Sequence, residues 1–134
     1  MEQNQSTPEA SRIWAAALVL IGSLMGTAGV AAGAMAAHQT GGGLLETASH
    51  YLLFHAAPVL AIGLNSYNRK ICMTAASLLA FGAVLFSGDL ALRALANLKP
   101  LAMAAPIGGL ILILGWLSLA TAGILDIVKA REAK

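Results

Sequence analysis

The sequence predicts an all-α fold, an integral membrane four-helix bundle with both termini on the cytoplasmic side. The first observation is composition: 58% of the 134 residues are hydrophobic and only 10% are charged, against about 25% charged residues in soluble domains. The second is that the apolar residues form four runs of about 20 residues, the length that crosses a ~30 Å hydrocarbon core. The third is that basic residues collect at the ends of these runs.

The four runs divide the chain into one membrane domain and two tails. We expect a flexible N-terminal tail over residues 1–12, a single domain over 13–128 and a C-terminal tail over 129–134. Within the domain, the spans are predicted at residues 13–37, 47–64, 71–96 and 101–128. The first run is much longer than the ~7–15-residue apolar core of a secretory signal peptide, so we expect it to be retained as a helix. Cleavage after the small residues Ala34-Met35-Ala36 is the alternative.

Basic residues set the predicted orientation. With four spans, both tails and the middle loop share one side, which holds Arg12, Arg69, Lys70, Lys129, Arg131 and Lys134. The other side holds Arg93 and Lys99. Because basic residues concentrate on the cytoplasmic side of membrane proteins, both termini are expected there. The predicted location is the bacterial inner membrane, or the mitochondrial inner membrane if the chain is eukaryotic.

Four glycines in the first span predict a packing face. Gly22, Gly26, Gly29 and Gly33 recur at helical spacing and therefore share one side of the helix. Small residues at this spacing allow two membrane helices to approach closely. Glycine is also common in membrane helices for other reasons, but the regular spacing favours a packing face. The partner helix lies either in this chain or in another subunit.

Asp89 and Arg93 are ionisable residues inside the third span. They are four residues apart, so on a helix they share a face and can pair. An ionisable side chain costs roughly 2.5–3.5 kcal/mol at the bilayer centre, and it therefore needs a partner, a wet cavity or a function. The alternative is a simple intrahelical pair near an interface. We expect the Asp89 carboxylate to be partnered within the bundle by Arg93 and, from the neighbouring span, by His55.

Three histidines extend this pair into a candidate polar cluster at one level of the bundle. His38 and His50 flank the first loop, and His55 lies about 7–8 Å into the second span at ~1.5 Å per residue. The alternatives are that His38 and His50 are solvated loop residues and that His55 forms a hydrogen bond between helices. A metal or haem site is disfavoured, because His50 and His55 do not share a helix face and no HExxH or paired-cysteine spacing occurs. We expect no metal and no other cofactor.

The positions of the few aromatic residues predict how deep each one lies in the membrane. Trp14, Tyr51 and Tyr67 fall near predicted interfaces and fit the aromatic belt of a membrane protein. Trp116 falls in the middle of the fourth span. We therefore expect Trp116 to pack inside the bundle.

Several short motifs, in order, resemble a known family. They are GVAAGAMAAH at 29–38, YLLFHA at 51–56, LFSGDL at 85–90 and APIGG at 105–109, followed by Gly115-Trp116. This arrangement is similar to the YgdD-like family of small membrane proteins, also catalogued as domain of unknown function 423 and as the transmembrane-protein-256 family, with mitochondrial relatives. The resemblance covers about residues 13–123. It implies a four-helix inner-membrane protein and no established activity.

The leading functional hypothesis is non-enzymatic. Short loops and the small-residue face favour an accessory, assembly or stabilising subunit, with the lipid bilayer and a larger membrane complex or a homo-oligomer as partners. The alternative is a small-molecule or ion translocator that uses the polar cluster, although no inverted repeat is visible. A membrane enzyme is third, because no nucleophile–base spacing is seen. The net charge of +2 is too small and too scattered to indicate nucleic-acid binding.

Overall fold

The computed structural model describes residues 9–39, 43–65, 70–97 and 103–133, and all regular structure in these ranges is helical. The four helices are α1 (Glu9–Ala37), α2 (Gly43–Leu64), α3 (Lys70–Ala96) and α4 (Ala104–Glu132). Each is long and apolar enough to cross a membrane. The prediction of an all-α fold with four helices long and apolar enough to span a membrane is therefore confirmed for the described residues.

The helices extend beyond the predicted spans at several ends. Helix α1 begins at Glu9 rather than Ile13, α2 begins within the glycine turn at Gly43, and α4 continues to Glu132. An apolar run marks the hydrocarbon core, whereas backbone hydrogen bonding can continue into the headgroup region. The predicted start of the fourth span at Leu101 lies outside the described residues.

Helix α3 occupies the centre of the arrangement. Helix α1 packs on α2, α2 on α3 and α3 on α4, with a smaller contact between α1 and α3. In the most apolar stretch of α3, 44% of residues are buried, against 17% in α4. Within the described residues, no Cα atoms of α2 and α4 lie within 8 Å of each other. The bundle is therefore open along the side between α2 and α4.

The bundle has two ends, which we call the terminal end and the distal end. The terminal end contains the start of α1, the end of α2, the start of α3 and the end of α4. The distal end contains the other four helix ends. At the distal end, Asn97 follows α3 with a left-handed φ of 51°, a conformation that commonly terminates helices and that asparagine tolerates.

Glycines bring α1 and α2 together. A Cβ atom added to Gly22 or Gly29 would lie 2.8 Å from Leu60 Cγ or 2.7 Å from Leu53 Cγ. At Gly33 it would lie 2.8 Å from the hydroxyl oxygen of Ser49. That hydroxyl donates a hydrogen bond to the carbonyl of Gly29 at 2.7 Å. Three of the four predicted glycines therefore pack against a helix of this same chain.

Gly26, the fourth glycine of the predicted face, makes no such contact. A Cβ atom added there would meet nothing within 4 Å. Gly26 lies roughly 40° around the helix from Gly22, at 3.6 residues per turn. This places it at the edge of the contact with α2.

A second glycine contact joins α3 and α4. A Cβ atom on Gly108 would lie 2.7 Å from the backbone nitrogen of Phe86 and 2.9 Å from the carbonyl oxygen of Gly82. One on Gly115 would lie 2.8 Å from Leu79 Cδ2. The two backbones are thus in direct contact near Gly108, which fixes the antiparallel register of α3 and α4.

Candidate functional site

The ion pair of Asp89 and Arg93 lies on the face of α3 that packs against α4. Asp89 Oδ2 and Arg93 Nη2 are 2.7 Å apart, and the Asp89 side chain is 1% exposed whereas that of Arg93 is 27% exposed. Asp89 follows Gly82 and Phe86 by seven and three residues, so it shares their helical face. Asp89 and Arg93 therefore form a pair in which the carboxylate is buried and the guanidinium is partly exposed.

The start of α4 lies at the same level as this pair. Because Gly108 lies beside Phe86 and Gly115 beside Leu79, the antiparallel register places Asp89 level with Ala104 and the rest of the first turn of α4. The N-cap residue of α4 makes no side-chain capping bond. A negative charge near a helix N-terminus is favourable because the helix dipole is positive there. At this level the Asp89 carboxylate complements both Arg93 and the N-terminus of α4.

The pair retains hydrogen-bonding capacity. Within the described part of the chain, Asp89 Oδ1 and Arg93 Nε are buried atoms without a hydrogen-bond partner. Buried polar atoms normally have one, and each exception requires an explanation. Chemically, this site can accept one more hydrogen bond at the carboxylate and donate one more from the guanidinium.

His55 lies deeper than the ion pair and has other partners. Its Nδ1 is 2.7 Å from the carbonyl oxygen of Tyr51, and its Nε2 is 3.3 Å from the indole nitrogen of Trp116. A carbonyl only accepts and an indole N–H only donates. With these partners Nδ1 of His55 donates and Nε2 accepts, so both ring nitrogens are used.

The structure does not bring His55 to Asp89. Helix α2 begins at Gly43 rather than at residue 47, so His55 lies about 18 Å from the start of its helix at ~1.5 Å per residue. Asp89 lies about 10 Å from the end of α3 by the same measure. The stacking of Tyr51 on α2 against Phe86 on α3 leads to the same conclusion. Because α2 and α3 are antiparallel, this contact places His55 near the level of Gly82, which is deeper than Asp89. The expected second partner of Asp89 is thus engaged elsewhere.

Aromatic rings join α2, α3 and α4 around His55. The rings of Tyr51 and Phe86 stack with centroids 4.2 Å apart. Tyr51 stacks on His55 at 5.7 Å, and His55 meets Trp116 at 6.0 Å with an interplanar angle of 58°. Pairs of this kind contribute about 0.5–1.5 kcal/mol beyond the area that they bury. We call Tyr51, His55, Phe86 and Trp116 the aromatic cluster.

The expectation that Trp116 packs inside the bundle is wrong. Its side chain is among the exposed large hydrophobic ones, at 48%. Among the described helices, α3 is the one that packs against α4, and a membrane provides no aqueous solvent to drive a mid-span indole inward. Trp116 instead bridges the open side of the bundle through its hydrogen bond to His55.

His38 and His50 belong neither to the ion pair nor to the aromatic cluster. Both are exposed at the distal end, and the ring of His50 lies beside Phe54 with centroids 6.0 Å apart. Within the described residues, no three His, Cys, Asp or Glu side chains come together as metal ligands would. The five-residue polar cluster is therefore divided into the ion pair, a separate His55 and two exposed histidines.

Sequence reasoning missed the aromatic cluster as a unit. Tyr51 and His55 are four residues apart, which already places them on one helix face. Phe86 and Trp116 come from other helices, so only their presence in the family motifs could have indicated them. The motifs on α2, α3 and α4 thus converge on this cluster and on the glycine contact of α3 with α4, whereas the motif at 29–38 packs α1 against α2.

Comparisons with known proteins agree on one family. The family described as "Protein of unknown function (DUF423)" matches residues 32–109, a range that includes His55, Phe86, Asp89 and Gly108. A UPF0382 membrane protein of Staphylococcus epidermidis is 38% identical over 112 residues, which cover 78% of this chain and 92% of the relative. A UPF0382 membrane protein of Haemophilus influenzae is 34% identical over 99 residues, with 68% and 80% covered.

The name of a further relative states its location in the cell. The UPF0382 inner membrane protein YgdD of Escherichia coli K12 is 32% identical over 109 residues, which cover 74% of this chain and 82% of the relative. No solved structure matches this chain. The four apolar helices and these relatives place the chain in the bacterial inner membrane. It belongs to the DUF423 family of membrane proteins of unknown function.

Proposed function

We propose that this protein is a non-enzymatic accessory, assembly or stabilising subunit of a larger membrane complex. The observation that carries the proposal is the exposure of α4, which contacts α3 along one side and leaves the side toward α2 open. Helix α4 packs closely on α3 but has no second neighbour among the described helices. Its exposed side is available to a membrane helix of another protein.

The open side of α4 has the residues that membrane helices use to associate. Gly109, Ala120 and Gly123 are spaced seven, four and seven residues from Trp116, so all four share one face, which we call the open face of α4. A Cβ atom on Gly123 would meet nothing within 4 Å, and one on Gly109 would be 4.0 Å from its nearest neighbour. Because Trp116 donates to His55 of α2, this face borders the gap between α2 and α4.

Packing physics favours a helix partner at this face. In lipid there is no hydrophobic drive for helices to associate, so close van der Waals packing against small residues and interhelical hydrogen bonds provide the affinity. The open face offers the small residues, since Gly109, Ala120 and Gly123 surround Trp116, whose indole N–H is already donated to His55. A second copy of this chain is an alternative partner for the same face.

The experiment is native electrophoresis of tagged protein extracted from its own membrane in mild detergent. Wild-type protein is expected in a discrete complex larger than the monomer. Gly123→Leu adds bulk at the open face and is expected to release the monomer, whereas the control Gly26→Leu adds the same bulk at an open position on α1 and should leave the complex intact. Free monomer alone in the wild-type membrane would overturn the proposal.

A translocator remains the second candidate, and one observation favours it. Asp89 is a buried membrane carboxylate with an unpartnered oxygen among the described residues, and intramembrane ionisable residues are functional candidates. Because His55 is engaged elsewhere, the ion pair would be the polar part of any path through the described residues. Proteoliposome flux tests this candidate: ion or solute flux lost in Asp89→Asn would support it, and flux unchanged by that substitution would exclude it.

We also propose that both termini face the cytoplasm. The support is the sequence asymmetry, with six basic residues on the terminal side and two on the distal side. This orientation places the ion pair and the start of α4 toward the periplasm. Cysteine labelling from the two sides of the membrane tests it.

A further inference from the structure

A hydrogen bond joins α2 and α4 across the open side of the bundle. The Trp116 indole on α4 donates to Nε2 of His55 on α2 at 3.3 Å, and the two rings lie with centroids 6.0 Å apart. Among the described residues, no Cα atoms of the two helices approach within 8 Å. At this depth, therefore, two side chains rather than two backbones link α2 to α4.

The bond depends on a ring nitrogen that carries no proton. Nε2 accepts from the indole N–H only while its lone pair is free, because an indole N–H donates and does not accept. On the other side of the ring, Nδ1 lies 2.7 Å from the Tyr51 carbonyl oxygen, which only accepts. With Nδ1 donating to Tyr51, a second proton on His55 has to go to Nε2. It would set two N–H groups against each other and break the bond.

Histidine is the residue type in which such a change is expected near neutral pH. Without perturbation it is the side chain that changes charge between about pH 5 and pH 8. A second interhelical indole bond of this chain lacks that property, since the Trp14 indole donates to the Ser77 hydroxyl at 3.0 Å. A hydroxyl does not gain a proton in this range. Of these two bonds, only that of Trp116 is open to control by a proton.

The aromatic cluster offers partners to a charged His55 ring. The Tyr51 ring stacks on His55 with centroids 5.7 Å apart and an interplanar angle of 23°, and Trp116 lies at 6.0 Å. The faces of Tyr and Trp attract a cation that lies within about 6 Å of the ring centroid. Because this attraction involves the ring and not its N–H, it persists when the hydrogen bond to the indole is lost.

Neighbouring charges do not dominate the position of His55. On its own helix, Tyr51 is stacked on it, whereas the ring of His50 lies beside Phe54. On α3, Asp89 and Arg93 lie nearer the distal end and neutralise each other at 2.7 Å. The other titratable or charged groups described on α1, α3 and α4 lie toward the terminal end: Glu9, Arg12, Lys70, Cys72, Asp126, Lys129, Arg131 and Glu132.

We propose that His55 and Trp116 form a proton-operated latch, by which we mean that their hydrogen bond links α2 to α4 and is broken by a proton on Nε2. With Nε2 unprotonated, the indole is held against α2. When Nε2 takes a proton from water, the indole N–H turns away from the imidazolium. Because Trp116 belongs to the open face of α4, this proton changes the surface that α4 presents. The latch lies within one chain, so it does not depend on the accessory-subunit proposal.

The two tryptophans of the chain give the test an internal control. Protein with ¹⁵N-labelled tryptophan is purified in mild detergent, and its indole N–H resonances are recorded by NMR from about pH 8 to about pH 5. Trp14→Phe assigns the two signals. The Trp116 resonance should move in a single titration toward the position of an indole without an acceptor, whereas the Trp14 resonance should stay in place.

Two variants show which histidine is responsible. His55→Gln provides an amide oxygen that accepts from the indole but gains no proton in this range, so the Trp116 resonance should remain at its position of about pH 8. The control His50→Gln removes an exposed histidine of the same helix and should leave the titration unchanged. A Trp116 resonance that stays constant in wild-type protein, moves together with that of Trp14, or still titrates in His55→Gln would overturn the proposal.

A second measurement follows the bond through stability. The double-mutant cycle of Trp116→Phe and His55→Phe is determined by unfolding in mixed micelles at both ends of the same pH range. The coupling between the two positions should be present at about pH 8 and lost at about pH 5. Equal coupling at both pH values would contradict the latch.

Discussion

Trp116 and His55 connect two helices whose backbones do not approach each other. The indole N–H of Trp116 on α4 donates to Nε2 of His55 on α2 at 3.3 Å, while His55 Nδ1 is held by the Tyr51 carbonyl at 2.7 Å. The Tyr51 carbonyl thus selects the tautomer that lets His55 accept from Trp116. The hydrogen bond crosses the open side of the bundle, so it holds α4 at a defined distance from α2.

This relationship predicts an energetic coupling between the two residues. Trp116→Phe keeps an aromatic ring but removes the donor, and His55→Phe removes the acceptor. Interhelical hydrogen bonds in membranes average about 0.6 kcal/mol, with a maximum near 1.7 kcal/mol, so we expect a coupling in that range from the double-mutant cycle. The measurement is the free energy of unfolding in mixed micelles. Strictly additive effects would show that the bond contributes nothing.

The ion pair predicts a strong asymmetry between single and double substitutions. Asp89→Ala leaves Arg93 unpaired and Arg93→Ala leaves the buried carboxylate unpaired, and breaking a buried pair costs about 3–5 kcal/mol. Replacing both with apolar residues, as in Asp89→Leu with Arg93→Met, should cost much less. Unfolding of purified protein measures this. If each single change costs only ~0–1 kcal/mol, as exposed pairs do, Asp89 is not buried in the membrane-embedded protein.

The glycine contacts predict a graded series of alanine substitutions. Gly108→Ala should be the most costly, because the added methyl group meets the backbone of Phe86 and Gly82, and overpacking a tight contact typically costs about 1–3 kcal/mol. Gly22→Ala meets the side chain of Leu60, which can move. Gly26→Ala is expected to be neutral or stabilising by up to about 1 kcal/mol, since alanine is the better helix former. Thermal unfolding in detergent ranks the three.

The proposed orientation predicts which positions accept a membrane-impermeant thiol reagent. In a background lacking the native cysteine (Cys72→Ala), single cysteines at His38 and Asn97 should react in intact cells. A cysteine at Asn65 should react only after the inner membrane is opened. The opposite pattern would reverse the orientation and place the ion pair on the cytoplasmic side.

Much of the fold could be predicted because its causes are local. Four apolar runs predict four helices, and four-residue spacing predicts that Asp89 and Arg93 can pair. The spacing of the α1 glycines predicts a packing face. Only the register with α2 shows that Gly26 lies outside the contact that the other three glycines make. These inferences depend on one helix at a time.

The remainder depends on contacts between helices. Gly108 and Gly115 are seven residues apart and share one face of α4, but the contact of this face with Gly82 and Leu79 appears only when α3 and α4 are paired. The depth of His55 depends on where α2 begins, and α2 begins outside its apolar run. Trp116 is exposed because α4 lacks a second neighbour among the described residues of this chain, a property that its own sequence does not encode.

Site-specific photocrosslinking from the open face of α4 is the most direct test of the accessory-subunit proposal. A benzophenone amino acid at Ala120, incorporated in cells and irradiated in the native membrane, is expected to give a discrete crosslinked species larger than the monomer. The same probe at Leu20, an exposed position on α1, a helix that makes no contact with α4 among the described residues, should not give that species. Only monomer and lipid adducts at Ala120 would contradict the proposal.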